Sequence, residues 1–200
     1  PYDELTTTPD ESVAARAAEI AKQIEEDYGT PFAKSLVELN GAKAPNGNRD
    51  GETNNGDLIT DAILWYATKD GGLDVDADHT VALTNGGGIR AAIAIGDITK
   101  KDVNTVLPFG NTLAVVYITG AELLEALEAS TYCTPDAVGG FPQVAGIQFT
   151  VDTSKAYDAG DLYPGSTYHA PKSINRVTIE SINGKAFDPA AQYAVVTNDF

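Results

Sequence analysis

The residues best placed to meet a ligand lie between Val81 and Gly110, VALTNGGGIRAAIAIGDITKKDVNTVLPFG, where polar and aromatic side chains interrupt an otherwise apolar run. Val81-Ala82-Leu83-Thr84 has the apolar, β-branched character of a buried strand, and Asn85-Gly86-Gly87-Gly88 stops it abruptly. Each glycine weakens a regular element by roughly 0.5–1 kcal/mol relative to alanine, so three in succession point to a backbone that takes positive φ or approaches something closely. Ile89 and Arg90 follow at once, which puts a guanidinium at the end of a tight turn. In Leu107-Pro108-Phe109-Gly110-Asn111 a phenylalanine stands between proline and glycine. A ring in a turn is harder to bury than one in a strand, so Phe109 is a candidate stacking surface. An ordinary turn and a core-plugging ring are the competing readings. Neither G-x-G-x-x-G nor G-x-x-x-x-G-K-[ST] occurs, so the glycines alone do not make a phosphate cradle.

Other chemistry is sparse. The two histidines, His79 and His169, stand in an acidic loop and in a Gly/Pro/Tyr-rich stretch, away from any metal-ligand spacing. No G-x-S-x-G is present, and the single cysteine, Cys133, excludes an internal disulfide and a multi-cysteine zinc site. Carboxylates are plentiful without marking out an acid/base pair. The formal charge of −16 argues against a nucleic-acid polymer as partner, while an arginine inside a cleft still attracts a small anion. No apolar run approaches the roughly 18 residues of a membrane span.

The elements that position these residues follow from pattern and punctuation. Thr8, Pro9 and Glu11 suit an N-cap, a first helical position and a capping box, predicting a helix to about Tyr28. Its stripe is Val13, Ala17, Ile20, Ile24 and Tyr28, and Gly29 ends it. Residues 32–39 read as a strand, 40–50 as a loop delivering Arg49, and Asn54 as the cap of a helix carrying Leu58, Ile59, Ala62, Ile63 and Tyr66. Arg49 thus stands just ahead of a helix N-terminus, where anions are favoured; an exposed loop charge is the alternative. Residues 91–95 read as a strand, Thr99 as a cap, 113–118 as a strand, and Thr119 to Glu122 as a second capping box ahead of Leu123, Leu124 and Leu127. Residues 131–143 and the long stretch 153–173 read as loops, and 144–151, 176–182 and 193–197 as strands. Asn183-Gly184 matches a type I′ hairpin turn.

Asn85-Gly-Gly-Gly-Ile-Arg90, Gly96-Asp-Ile-Thr, Val106-Leu-Pro-Phe-Gly-Asn111 and Ile118-Thr-Gly-Ala-Glu-Leu-Leu124 occur here in an order that resembles the C-terminal, substrate-binding domain of the 5′-nucleotidase, 2′,3′-cyclic-nucleotide phosphodiesterase and UDP-sugar hydrolase family. Arg49-x-x-Glu52-x-Asn54-x-Gly56 upstream and Tyr193-x-Val195-x-Thr197-Asn198-Asp199-Phe200 downstream extend the resemblance over nearly all of residues 32–200.

The resemblance implies an α+β fold with a mixed β-sheet and flanking helices. Residues 1–30 would be a linker helix from an N-terminal metallophosphatase domain, and 31–200 the substrate-binding domain. It implies that Phe109 and Phe200 sandwich a nucleobase and that Arg49, Asn85 and Arg90 fix its edge, sugar or phosphate, on the turn Gly86-Gly87-Gly88. No catalytic or metal residue is expected in this chain. Two divalent metal ions would sit in the N-terminal domain, so the parent would be a hydrolase of the extracellular, cell-surface or periplasmic space and this chain alone inactive. The family continues with a Gly-Gly-Asp-Gly-Tyr segment whose Asp contacts ribose, and the 200 residues stop before it. The alternatives are a non-catalytic surface interaction module, or the same architecture acting on nucleotide sugars, cyclic nucleotides or sulfur compounds.

Overall fold

A computed structural model describes residues 10–69 and 72–200. In chain order the elements are α1 (Glu11–Tyr28), β1 (Pro31–Ser35), α2 (Asn54–Thr68), β2 (Thr80–Asn85), β3 (Gly96–Thr99), α3 (Lys100–Val106), β4 (Leu113–Thr119), α4 (Gly120–Ser130), β5 (Pro142–Ala145), β6 (Ile147–Val151), β7 (Ala159–Leu162), β8 (His169–Pro171), β9 (Val177–Ile182), β10 (Lys185–Ala186) and β11 (Gln192–Asn198).

The centre is a four-stranded mixed sheet, β4-β11-β2-β5, in which β11 runs parallel to β2 and the other pairs are antiparallel. Both faces of the central strands β2 and β11 are covered, which is why β2 is apolar without clear alternation, whereas the edge strand β4 is largely exposed. Val81, Tyr193 and Val195 turn to one side and join Leu123 and Leu127 of α4 with Val177, Ile179 and Ile182 of β9. Ala82, Ala145 and Val196 turn to the other and meet Ile63, Leu64 and Ala67 of α2. A second, antiparallel sheet, β10-β9-β6, closes the first core. The chain passes between the sheets at Gly146, whose φ of +79° a side chain would rarely tolerate.

The mixed sheet with flanking helices is the α+β architecture expected, with several local corrections. The cap of α1 is Asp10, whose carboxylate accepts from the N–H groups of Ser12 and Val13, so Glu11 opens the helix; the expected cap at Thr8 and Pro9 falls outside the described residues. Thr53, and not Asn54, caps α2 by accepting from Gly56 N–H. Residues 91–95 form no strand: only Ile93 pairs, with Leu39, and the pairing of β1 belongs to β3. The expected strand 144–151 is two strands, β5 and β6, of which β5 starts within the expected loop 131–143, and the expected loop 153–173 contains the β7–β8 hairpin. The apolar stripe of α1 is not covered among the described residues, and Val13 is 66% exposed. An ion pair of Glu25 with Lys101, 2.8 Å, joins α1 to α3.

Candidate functional site

The end of β2 is organised by close approach. Gly86, Gly87 and Gly88 form a single 3₁₀ turn without positive φ. A Cβ on Gly86 would stand 1.6 Å from the Asn48 carbonyl oxygen, and one on Gly87 2.8 Å from that of Gly139. Their N–H groups donate outward, Gly86 to Phe141 O and Gly87 to Gly139 O, each at 2.8 Å. For Gly86 and Gly87, of the two reasons for glycine, packing against neighbouring backbone is the operative one.

Behind the turn lies a buried polar network without a local sequence signal. Asn48 is fully buried; its Nδ2 donates to Asn40 O and Ala42 O, and its Oδ1 accepts from Thr53 Oγ1 at 2.5 Å. Gln143 Nε2 donates to Asn48 O and Gly51 O, while its Oε1 accepts from Thr53 N–H. Because a buried polar group left unpaired costs about 1–3 kcal/mol, these closed contacts fix the loop that carries Arg49.

In front of the turn opens a cleft of about 1260 Å³. Asn85, Gly87, Gly88, Arg90, Phe109 and Phe200 all line it. Phe109 is 61% exposed, which excludes the core-plugging alternative for it, and Phe200 is 92% exposed. The Arg90 guanidinium carbon lies 5.7 Å from the Phe109 ring centroid, and its Nη1 donates to Gly87 O at 3.1 Å. Asn198 Nδ2 donates to Asn85 Oδ1 at 2.9 Å and to Thr84 Oγ1 at 3.0 Å. That contact orients the Asn85 amide and leaves its Nδ2 as a donor for a ligand acceptor.

Gly86 and Arg49 are not among the lining residues. Arg49 is half-buried; its carbonyl accepts from Val138 N–H, and its Nε is buried without a hydrogen-bond partner. Asn111, Glu122, Glu125, Tyr163 and Tyr168 line the cleft in addition to the expected residues. Asn111 stands inside a motif legible in sequence, whereas the tyrosines arrive on a hairpin that sequence pattern did not reveal. Tyr163 OH donates to Glu125 Oε1 at 2.7 Å. Burial first, then that hydrogen bond and the charge of Glu125, push the Tyr163 phenol well above its usual range, so it stays a neutral donor. Among the described residues no group of three or more His, Cys, Asp or Glu is arranged to hold a metal ion, and no helix is long and apolar enough to cross a membrane.

The sequence profile of the family described as "5′-nucleotidase, C-terminal domain" matches residues 32–200. The trifunctional nucleotide phosphoesterase protein of Bacillus subtilis is 40% identical over 154 residues, 76% of this chain and 9% of that protein. A cell wall protein of Listeria monocytogenes is 31% identical over 208 residues, 100% of this chain and 24% of its own length. Among solved structures, a 5′-nucleotidase precursor from Thermus thermophilus superposes with a TM-score of 0.71 at 34% identity, over 96% of this chain and 34% of that one. The chain therefore spans between 9% and 34% of the length of these relatives.

Proposed function

Because this chain belongs to the 5′-nucleotidase C-terminal domain family, we propose that it is the nucleotide-recognition unit of a metal-dependent phosphoesterase and holds a nucleobase between Phe109 and Phe200. The observation that carries this is the pair of largely exposed rings on one cleft, beside the guanidinium of Arg90 and the oriented amide of Asn85. Stacking a base on an aromatic ring contributes about 1–3 kcal/mol and is tolerant of sequence, since every base has a π-face. Base preference is accordingly loose. Asn85 Nδ2 donates to an acceptor on the base edge, and Arg90, held by Gly87 O and Phe109, supplies positive charge toward the sugar or phosphate. Arg49 is the second basic candidate for that end.

In the proposed division of labour this chain recognises and another domain hydrolyses. Hydrolysis of a phosphate ester needs an activated water and neutralisation of developing charge, which a pair of metal ions about 3.5–4 Å apart supplies. Those ions belong, in this reading, to a metallophosphatase domain joined through residues 1–30. An extracellular or cell-surface location is part of the proposal, supported by the Listeria relative described as a cell wall protein.

Calorimetric titration with adenosine, AMP and ribose 5-phosphate tests the reading. Adenosine and AMP bind and ribose 5-phosphate binds far more weakly; equal affinity for the base-free sugar phosphate would overturn base stacking. A second reading, a non-catalytic module that docks a partner along α1, rests on the uncovered stripe of Val13, Ile20, Ile24 and Tyr28. It predicts no nucleoside binding at all.

A further inference from the structure

The cleft continues past the paired rings. Leu83 of β2 and Ile118 of β4 line it on the sheet side, Glu122 and Glu125 on α4, and Tyr163 and Tyr168 beside the β7–β8 hairpin. Its volume of about 1260 Å³ exceeds the roughly 300–1,000 Å³ of an ordinary small-molecule site, so a base and sugar at Phe109 and Phe200 leave this end free.

The chemistry here is opposite to that at Arg90. Glu122 and Glu125 are three residues apart on one helix and so share a face. Glu122 Oε2 accepts from Thr119 N–H and Oγ1, and Glu125 Oε1 accepts from Tyr163 OH, which fixes both carboxylates while one oxygen of each has no hydrogen bond among the described residues. The Tyr168 ring is held edge-on by Tyr132, at a centroid separation of 5.8 Å and an interplanar angle of 88°, and its hydroxyl edge packs on Gly140. Arg90, on the turn that follows β2, is the one basic residue lining the cleft among the described residues. Two fixed carboxylates, two tyrosine rings and an apolar floor without a cation are complementary to an ammonium group on an apolar body, which both charge and cation–π attraction favour.

We propose that this end of the cleft is a second subsite, selective for an ammonium group carried on an apolar or aromatic body. It extends the nucleotide reading, on which it rests only for the occupant of the other end. The favoured ligand of the whole cleft is then one whose anionic part lies toward Arg90 and whose cationic part lies toward Glu125.

The test compares phenethylamine with 3-phenylpropionate, near-isosteric probes of opposite charge, by titration into wild type and Glu125→Gln, with adenosine titrated separately into both proteins. Wild type prefers the amine by about tenfold, equivalent to about 1.4 kcal/mol, and the preference shrinks as salt is raised. Glu125→Gln keeps an acceptor for Tyr163 and the affinity for adenosine while losing most of the preference. Equal binding of the two probes by wild type, binding of neither, or a preference that survives both high salt and Glu125→Gln would overturn the subsite. Amine binding without adenosine binding would sink the base-stacking reading alone. Adenosine binding without amine selectivity would sink the subsite alone. Because a net charge of −16 by itself gives a salt-sensitive preference for amines, a second cleft variant, Glu125→Ala, repeats the comparison if Glu125→Gln fails to fold, and a full amine preference retained there would overturn the subsite.

Discussion

Thr112 and Asp199 are joined three times: Thr112 N–H donates to Asp199 Oδ1 at 3.0 Å, Thr112 Oγ1 to Asp199 Oδ2 at 2.7 Å, and Asp199 N–H to the Thr112 carbonyl at 3.1 Å. This clamp ties the segment that follows Phe109 to the one that carries Phe200, and it is expected to set the spacing of the two rings. Asp199→Ala is expected to weaken nucleoside binding while changing the melting temperature little, because the carboxylate is exposed. An unchanged affinity would show that the rings are spaced by something else. The hydroxyl of Thr112, then its N–H, holds the Asp199 carboxyl below its ordinary value of 3.8. A depressed carboxyl pKa stabilises above the unfolded value and stops doing so as pH falls through the folded one. The clamp is therefore intact at neutral pH and weakens only below about 3.8.

Gly86→Ala places a methyl group 1.6 Å from the Asn48 carbonyl oxygen, which cannot retreat without breaking its bond from Gln143 Nε2. A loss of at least the roughly 1–3 kcal/mol of an overpacked site is expected in chemical denaturation. Gly139→Ala, where a Cβ meets nothing within 4 Å, is the matched control and leaves stability nearly unchanged. Similar stabilities for the two variants would contradict the close-approach account of the turn.

Arg90→Lys keeps the charge and loses the planar fork that bonds Gly87 O while lying on Phe109. AMP affinity should fall, with adenosine affected less. Equal AMP affinity for the lysine variant would reduce Arg90 to a distant point charge.

What was legible in the sequence was local. The expected capping box Thr119/Glu122 forms with both reciprocal hydrogen bonds, and the expected cap at Thr99 forms too, with Asp102 reciprocating where no box was expected. Asn183-Gly184 turns with φ of +48° and +72°, as a type I′ hairpin requires. Leu123 and Leu127 are buried where the spacing put them. Errors arose where neighbouring residues offered equivalent local chemistry, as with Thr53 in place of Asn54. The buried pairing of Asn48 with Gln143 joins residues 95 apart, and no local pattern announces it. The hairpin 159–171 was hidden because β7 and β8 are short and largely exposed, so they carry no apolar alternation. Of the candidate cleft, the turn and the two phenylalanines were readable from motif resemblance, and the Glu125–Tyr163 wall was not.

The division of labour makes a catalytic prediction. Purified residues 1–200 should release no measurable phosphate from AMP in Mn²⁺, Zn²⁺ or Co²⁺, whereas the same chain extended through a metallophosphatase domain should. Chelator-sensitive turnover by the isolated chain, retained on repurification, would place catalytic machinery within these residues.

The most direct measurement is the adenosine affinity of Phe109→Ala alongside its melting curve. A ring that is 61% exposed contributes little to the core, so stability should change by no more than about 0.5 kcal/mol. Lost stacking should weaken binding by about 1–3 kcal/mol, or roughly five- to 150-fold. Unchanged affinity, or a stability loss of the roughly 3–5 kcal/mol typical of a truncated core phenylalanine, would contradict Phe109 as a base platform.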